Sequence, residues 1–151
     1  MTTKRNTIEL DELAATPETL TRKQVQEAIR KGASLVEADM RGSDLAGLSF
    51  DGVDLRWAKL AEANLTGCTF RNANLSRASL WHANLQDAVL DGAQLEGADF
   101  DFANLDGVSV KGARFKKAIF PVGRLTIATI QAAVKSGALL QMESSGMDDD
   151  E

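Results

Sequence analysis

Broken into fives, residues 33–122 read ASLVE ADMRG SDLAG LSFDG VDLRW AKLAE ANLTG CTFRN ANLSR ASLWH ANLQD AVLDG AQLEG ADFDF ANLDG VSVKG ARFKK AIFPV. The third position of all eighteen units is apolar, from Leu35 to Phe120, and the first is Ala in thirteen. Apolar residues therefore recur at spacings of 2 and 3. A helix repeats at 3 and 4, and a strand at 2 throughout. The step of 2 predicts a three-residue strand whose two ends point inward, and the step of 3 a corner that resets the phase. Gly holds the fifth position in eight units, among them Gly42, Gly67 and Gly92, which suits a turn with positive φ. Repetition at so short a fixed period signals a solenoid.

These A(D/N)LxG-type units resemble the pentapeptide-repeat proteins over roughly three-fifths of the chain. The resemblance implies an all-β solenoid, a right-handed four-sided β-helix in which four units close one coil. Residues i and i+20 then stack one coil apart, at ~4.8 Å, and eighteen units make about 4.5 coils in a tower roughly 20 Å tall. Four third-position side chains fill the axis of each coil. The first position has room for little beyond a methyl, which makes Ala the natural choice. Three of the five exceptions, Ser43, Leu48 and Val53, are consecutive and cluster around the first coil, where the interior must adapt to whatever covers the end.

Short α-helical caps are expected at both ends. Residues 1–17 read as weakly ordered. Residues 18–32 hold a capping helix from Arg22 to Lys31: Thr21 and Gln24 form a capping box, Leu20 and Val25 a hydrophobic staple, and Gly32 a C′ glycine. Such a helix covers the unpaired edge of the first coil. After the repeats (33–122), Pro121 suits an ending because it donates no ladder bond. Residues 123–141 hold a second helix, Leu125 to Ser136, with Ile127, Ile130, Ala133 and Val134 on one side and Gly137 at its end. Leu139 and Leu140 follow and need burial. In the family such C-terminal segments often dimerise, so Ile127, Ile130, Val134, Leu139 and Leu140 are candidates for a homodimer contact, with capping alone as the other reading. Residues 142–151 read as a disordered acidic tail.

The net charge of −5 resides in that tail. Met142 to Glu151 carry five acids and no base, which leaves 17 acids and 17 bases on the other 141 residues. This is not the basic footprint of a nucleic-acid binder, so no direct nucleic-acid partner is expected. No signal-peptide pattern and no long apolar run are visible, so a soluble, cytoplasmic protein without a membrane partner is expected. One cysteine excludes an internal disulfide framework.

Chemistry is sparse. Cys68 takes a first position and points inward as a small apolar residue. His82 sits at an outer corner, so the two form no catalytic dyad. No His/Cys cluster has metal-ligand spacing, and the glycines are corner residues and not a phosphate cradle. No catalytic residue, metal or cofactor is expected, and the chain reads as a non-enzyme. One outward column, Asp51, Arg71, Asp91 and Lys111, alternates in sign as a surface ladder. Another side, with Asp44, Asn64, Asn84, Asp87, Asn104 and Asp106, carries no base.

Five of the eight aromatics take the inward third position. The outward three are Trp57, Trp81 and Phe102. With the i+20 register, Glu62, His82 and Phe102 share a column beside Trp81, so the outward aromatics are expected to converge at one edge. Such a patch is either a partner surface or the seat of a terminal segment, Ile8 to Leu13, folded back over it. The function expected is a non-catalytic interaction or scaffold module with an unidentified protein partner. A capping helix leading into pentapeptides is also similar to modules of bacterial secretion-system assemblies, which implies an adaptor. The alternative comes from family members that resemble DNA and bind type II topoisomerases such as DNA gyrase, protecting against quinolones. That mechanism needs a continuous acidic surface, whereas Arg56, Arg77, Arg114, Lys116 and Lys117 lie on or beside one side here.

Overall fold

The computed structural model describes residues 19–143. Its organising contact is a parallel bridge between residues twenty apart. Thirteen such bridges run from Asp39↔Lys59 to Asp99↔Ile119, in four columns. Four pentapeptides therefore close each coil. The predicted three-residue strands shorten to one bridging residue per side, because a turn intervenes every five residues.

The unit Ala73–Arg77 accounts for every backbone donor. Ala73 N–H closes the turn onto Phe70 O (3.1 Å), and Asn74 N–H reaches Val53 O (3.0 Å) in the coil before. Leu75 and Arg77 donate to Gln94 O (2.7 Å) and Glu96 O (2.9 Å) in the coil after. The remaining donor, Ser76 N–H, meets its own unit's Asn74 Oδ1 at 3.1 Å. The same closure recurs at Asp54, Asn64, Asn84, Asp99 and Asn104. It gives the Asp/Asn of the second position a physical purpose, the capture of a turn N–H that the ladder leaves out.

The turn is type II, with positive φ only at the fifth position, and that φ is positive in every unit from Glu37 to Lys117. Inside, third-position side chains from Met40 to Val110 are at most 1 % exposed, and Cys68 and the first-position alanines from Ala58 to Ala113 are buried beside them. Phe50 stacks on Phe70 (5.0 Å) and Phe100 on Phe120 (5.5 Å), each pair twenty residues apart.

Helix α1 spans Arg22–Arg30, with the expected capping box between Thr21 and Gln24. Lys31 is its C-cap and not its last turn. Gly32 N–H bonds Ile29 O and Ala33 N–H bonds Ala28 O, the Schellman pattern that a glycine at φ 69° permits. Val25 is fully buried, with Ala28 and Ile29 packed on the core. Leu20, twenty residues before Met40, takes a ladder position of its own, donating to Asp39 O at 2.8 Å. Its carbonyl accepts the Ser43 hydroxyl at 2.7 Å, which explains a polar residue in the first coil's interior.

Helix α2 spans Ile127–Ser136. It begins two residues later than expected because Thr126 caps it, accepting from Thr129 N–H at 3.1 Å. Gly137 ends it in the left-handed region. Met142, assigned by composition to the acidic tail, instead packs on the core, and its Sδ lies 3.1 Å from Leu105 N. Ordered packing therefore reaches beyond residue 141. Among the described residues, no helix is long and apolar enough to cross a membrane.

Candidate functional site

Trp81, His82 and Phe102 meet on one corner of the tower. The i+20 register puts Phe102 one coil above His82, and their rings stack with centroids 5.0 Å apart and planes 12° from parallel. Trp81, in the turn position before His82, lies edge-on to both, 4.3 Å from His82 and 6.1 Å from Phe102. Stacked and edge-to-face arrangements are those aromatic quadrupoles favour. Trp81 is 39 % exposed and Phe102 63 %. The corner is held by His82 N–H on Asp101 O (3.0 Å) and Phe102 N–H on Asp101 Oδ1 (3.1 Å).

His82 and Phe102 have φ of 57° and 60°. A Cβ in that region crowds the following carbonyl, at roughly 1–2 kcal/mol per residue. Gly avoids this, as it does at Gly42 in the same column. The aromatic side chains are thus displayed at some expense of stability.

The patch continues past the repeats. Pro121, Val122, Arg124 and Met142 join His82, Asp101, Phe102 and Ala103 around a hollow of about 220 Å³. Val122 is legible from the register, twenty residues after Phe102; the part played by Met142 and Arg124 is not. Trp57 stands apart. It occupies a different corner, where the guanidinium of Arg77, one coil on, lies 5.6 Å from its ring in a cation–π contact. The expected convergence of three aromatics is therefore one of Trp81 and Phe102 with His82. The covering segment Ile8–Leu13 lies outside the described residues.

The other sequence candidates separate. Cys68 is fully buried, its Sγ donates to Leu45 O at 2.9 Å, and burial pushes its thiol pKa up to about 11. Such a thiol stays protonated and is a poor nucleophile. It is enclosed, whereas His82 is exposed, so the two make no dyad. Among the described residues no group of three or more His, Cys, Asp or Glu is placed to hold a metal. The DDDE run lies outside them.

Of the dimerisation candidates, Ile130 (5 % exposed) and Leu140 (0 %) are buried in their own chain and are not free for a partner. Val134 is partly buried against the core. Leu139 was expected to bury but is 53 % exposed, whereas Ile127, a candidate for a homodimer contact, is 73 % exposed.

On the surface, Asp39 and Asp54 are held below the usual carboxylate range, chiefly by side-chain hydrogen bonds from Arg41 and Arg56. Asp51 pairs with Arg71 at 3.5 Å and also accepts its backbone N–H at 2.8 Å. Asp91 instead accepts the N–H of Lys111 at 3.1 Å, with the Ser109 hydroxyl as a second donor.

The family described as pentapeptide repeats matches in eight copies, over residues 31–60, 54–92 and 83–120. No curated protein matches the sequence. Among solved structures, the chain is 33 % identical to the pentapeptide repeat protein Rfr23 of the cyanobacterium Cyanothece 51142, with a TM-score of 0.57, covering 70 % of this chain and 66 % of that one. It is 29 % identical to the pentapeptide repeat protein alr5209 of Nostoc PCC 7120, with a TM-score of 0.61, covering 79 % of this chain and 98 % of that one. A pentapeptide repeat protein of the Arabidopsis thaliana thylakoid lumen is 35 % identical, with a TM-score of 0.45, over 52 % of this chain and 61 % of its own. The chain thus spans under two-thirds of the length of two of these three relatives.

Proposed function

This chain belongs to the pentapeptide-repeat family, and on that premise we propose that it is a non-catalytic protein-interaction module whose contact surface is the Trp81–His82–Phe102 corner. The architecture we infer is a right-handed β-helix of about 4.5 coils closed by α1 at one end and by residues 123–143 at the other. The observation that carries the function is the contiguous exposed ring cluster, built on left-handed corners where glycine would be more stable. Exposed, rigid aromatics are the side chains that dominate interface energies. The finer reading is a cytoplasmic bacterial adaptor, a stiff post that holds another protein at a fixed distance.

The topoisomerase alternative needs an unbroken acidic face. Asp39, Asp51 and Asp54 are each engaged by an arginine on their own sides, and the base-free column through Asp44, Asn64, Asn84 and Asn104 is mostly neutral amide, which together weigh against that reading. DNA gyrase supercoiling is expected to be unaffected by the protein.

The test is comparative capture from host extract by the immobilised chain. A partner retained by the wild type should be lost with Trp81→Ser or Phe102→Ser, and kept with Trp57→Ser on the other corner. Equal capture by all four proteins would overturn the assignment.

A further inference from the structure

The last coil presents backbone groups to which the twenty-residue ladder would give partners. The C-terminal segment covers part of that edge. Gly107 N–H donates to Leu140 O (2.8 Å), Leu140 N–H to Val108 O (2.8 Å), and Gly112 N–H to Val134 O (3.0 Å). The next stretch is different. Among the described residues, the N–H groups of Phe115 and Lys117 and the carbonyls of Ala113 and Ala118 have no hydrogen-bond partner. Their counterparts one coil earlier are all bonded: Leu95 N–H to Arg114 O, Gly97 N–H to Lys116 O, and the carbonyls of Ala93 and Ala98 to Arg114 N–H and Ile119 N–H.

Beside this open edge lies a cleft of about 580 Å³. Phe115 and Phe120 form one wall, and Ile127, Ile130 and Val134 of α2 the other. Lys116, Lys117 and Lys135 also line it, and no acid does. An unpaired strand edge next to an apolar groove is a template for an added extended segment, and the lysines select an acidic one.

We propose that the occupant is the chain's own residues 144–151, SSGMDDDE. Met147 supplies one apolar side chain for the groove, and Asp148, Asp149, Asp150 and Glu151 supply charge for the three lysines. The chain leads there. Glu143 N–H donates to Arg124 O (3.1 Å) and Arg124 Nε to Glu143 O (2.9 Å). Met142 borders the same hollow as Pro121 and Val122, immediately after Phe120 of the cleft wall. Eight extended residues span up to ~26–29 Å, more than the roughly 20 Å height of the tower. The segment thereby pairs the edge that would otherwise invite a second chain.

Amide hydrogen exchange at Phe115 and Lys117, read by NMR, tests this. In the full chain both amides are expected to exchange at least ~10-fold more slowly than in a chain ending at Glu143. Protection should also fall in a full-length variant carrying Asp148→Asn, Asp149→Asn, Asp150→Asn and Glu151→Gln, and for the wild type in about 0.5 M salt. Unchanged protection of the Leu75 and Leu85 amides shows that each variant is folded. Equal rates at Phe115 and Lys117 in the full and shortened chains overturn the proposal. So does protection that survives shortening and rises with protein concentration, since a second copy would then be the occupant.

Discussion

Arg22 of α1 donates through Nη1 to the carbonyl oxygen of Ala46 at 2.8 Å, with Asp44 O at 3.4 Å. The ladder would give those carbonyls the N–H groups of Val25 and Glu27, just as Leu45 and Gly47 donate to Asn64 and Thr66 one coil on. Both residues lie in α1, so one guanidinium stands in for the rung that the helix displaces. Arg22→Ala should therefore lower stability by ~0.5–1.5 kcal/mol, the net worth of an exposed hydrogen bond of this kind. Arg22→Lys, lacking the planar fork, should recover only part. Urea midpoints of the three proteins decide it, and an unchanged midpoint for Arg22→Ala would mean that water serves those carbonyls equally well.

Asn74 and Leu75 are neighbours with different duties. Leu75 is fully buried on the axis, and Leu75→Ala should lose about 2–5 kcal/mol. Asn74 points outward but holds Ser76 N–H, so Asn74→Ala should lose ~1 kcal/mol, and Asn74→Asp much less. Ala83→Leu, at a position 1 % exposed, should destabilise by overpacking. Thermal melts of these variants check the register; equal losses from Asn74→Ala and Leu75→Ala would reverse the inward and outward assignments.

Phe102 has φ 60°, so removing its side chain should have opposite consequences according to what replaces it. Phe102→Gly should be more stable than Phe102→Ala by roughly 1 kcal/mol, because only glycine occupies that region without strain. Both should weaken partner capture alike. If Ala and Gly melt together, the corner is not strained and the trade of stability for display is absent.

The repeat itself was legible because its apolar spacing excludes both regular alternatives, and the i+20 register then placed Phe102 over His82 correctly. The capping box at Thr21 was legible because its signature is local. What escaped depends on contacts distant in sequence. Arg22 reads as a solvated helix residue until the carbonyl of Ala46 is seen beside it, and Met142 reads as part of an acidic tail until Leu105 is. Asn74 and its equivalents read as solvated side chains because an outward side chain gives no sign of bonding its own turn. Leu139 escaped for the opposite reason: an apolar residue after a helix calls for burial, but its sequence does not say whether a neighbouring surface reaches it.

Acid should weaken the first coils. The carboxyls of Asp39 and Asp54 have lowered pKa values when folded, through Arg41 and Arg56, so their contribution is present above the unfolded carboxylate pKa of ~3.9 and fades as pH falls through the lower folded values. Both pairs are solvent-exposed on the arginine side, so screening keeps each below ~1 kcal/mol. Melting curves from pH 6 down to about pH 2 should show a smaller acid loss for Asp39→Asn/Asp54→Asn than for the wild type. An identical loss would mean that the pairs do not persist in solution.

The central claim is that the Trp81 corner is open in the full-length protein, in which residues 1–18 and 144–151 flank the described tower. Trp57→Phe leaves Trp81 as the single indole, and iodide quenching of its fluorescence in the full-length protein reads the corner directly. The account predicts red-shifted emission, ready quenching, and a stability nearly unchanged by a further Trp81→Ser. A blue-shifted, iodide-protected Trp81 whose replacement lowers the melting temperature would mean that the chain covers its own aromatics, and would contradict the contact-surface assignment.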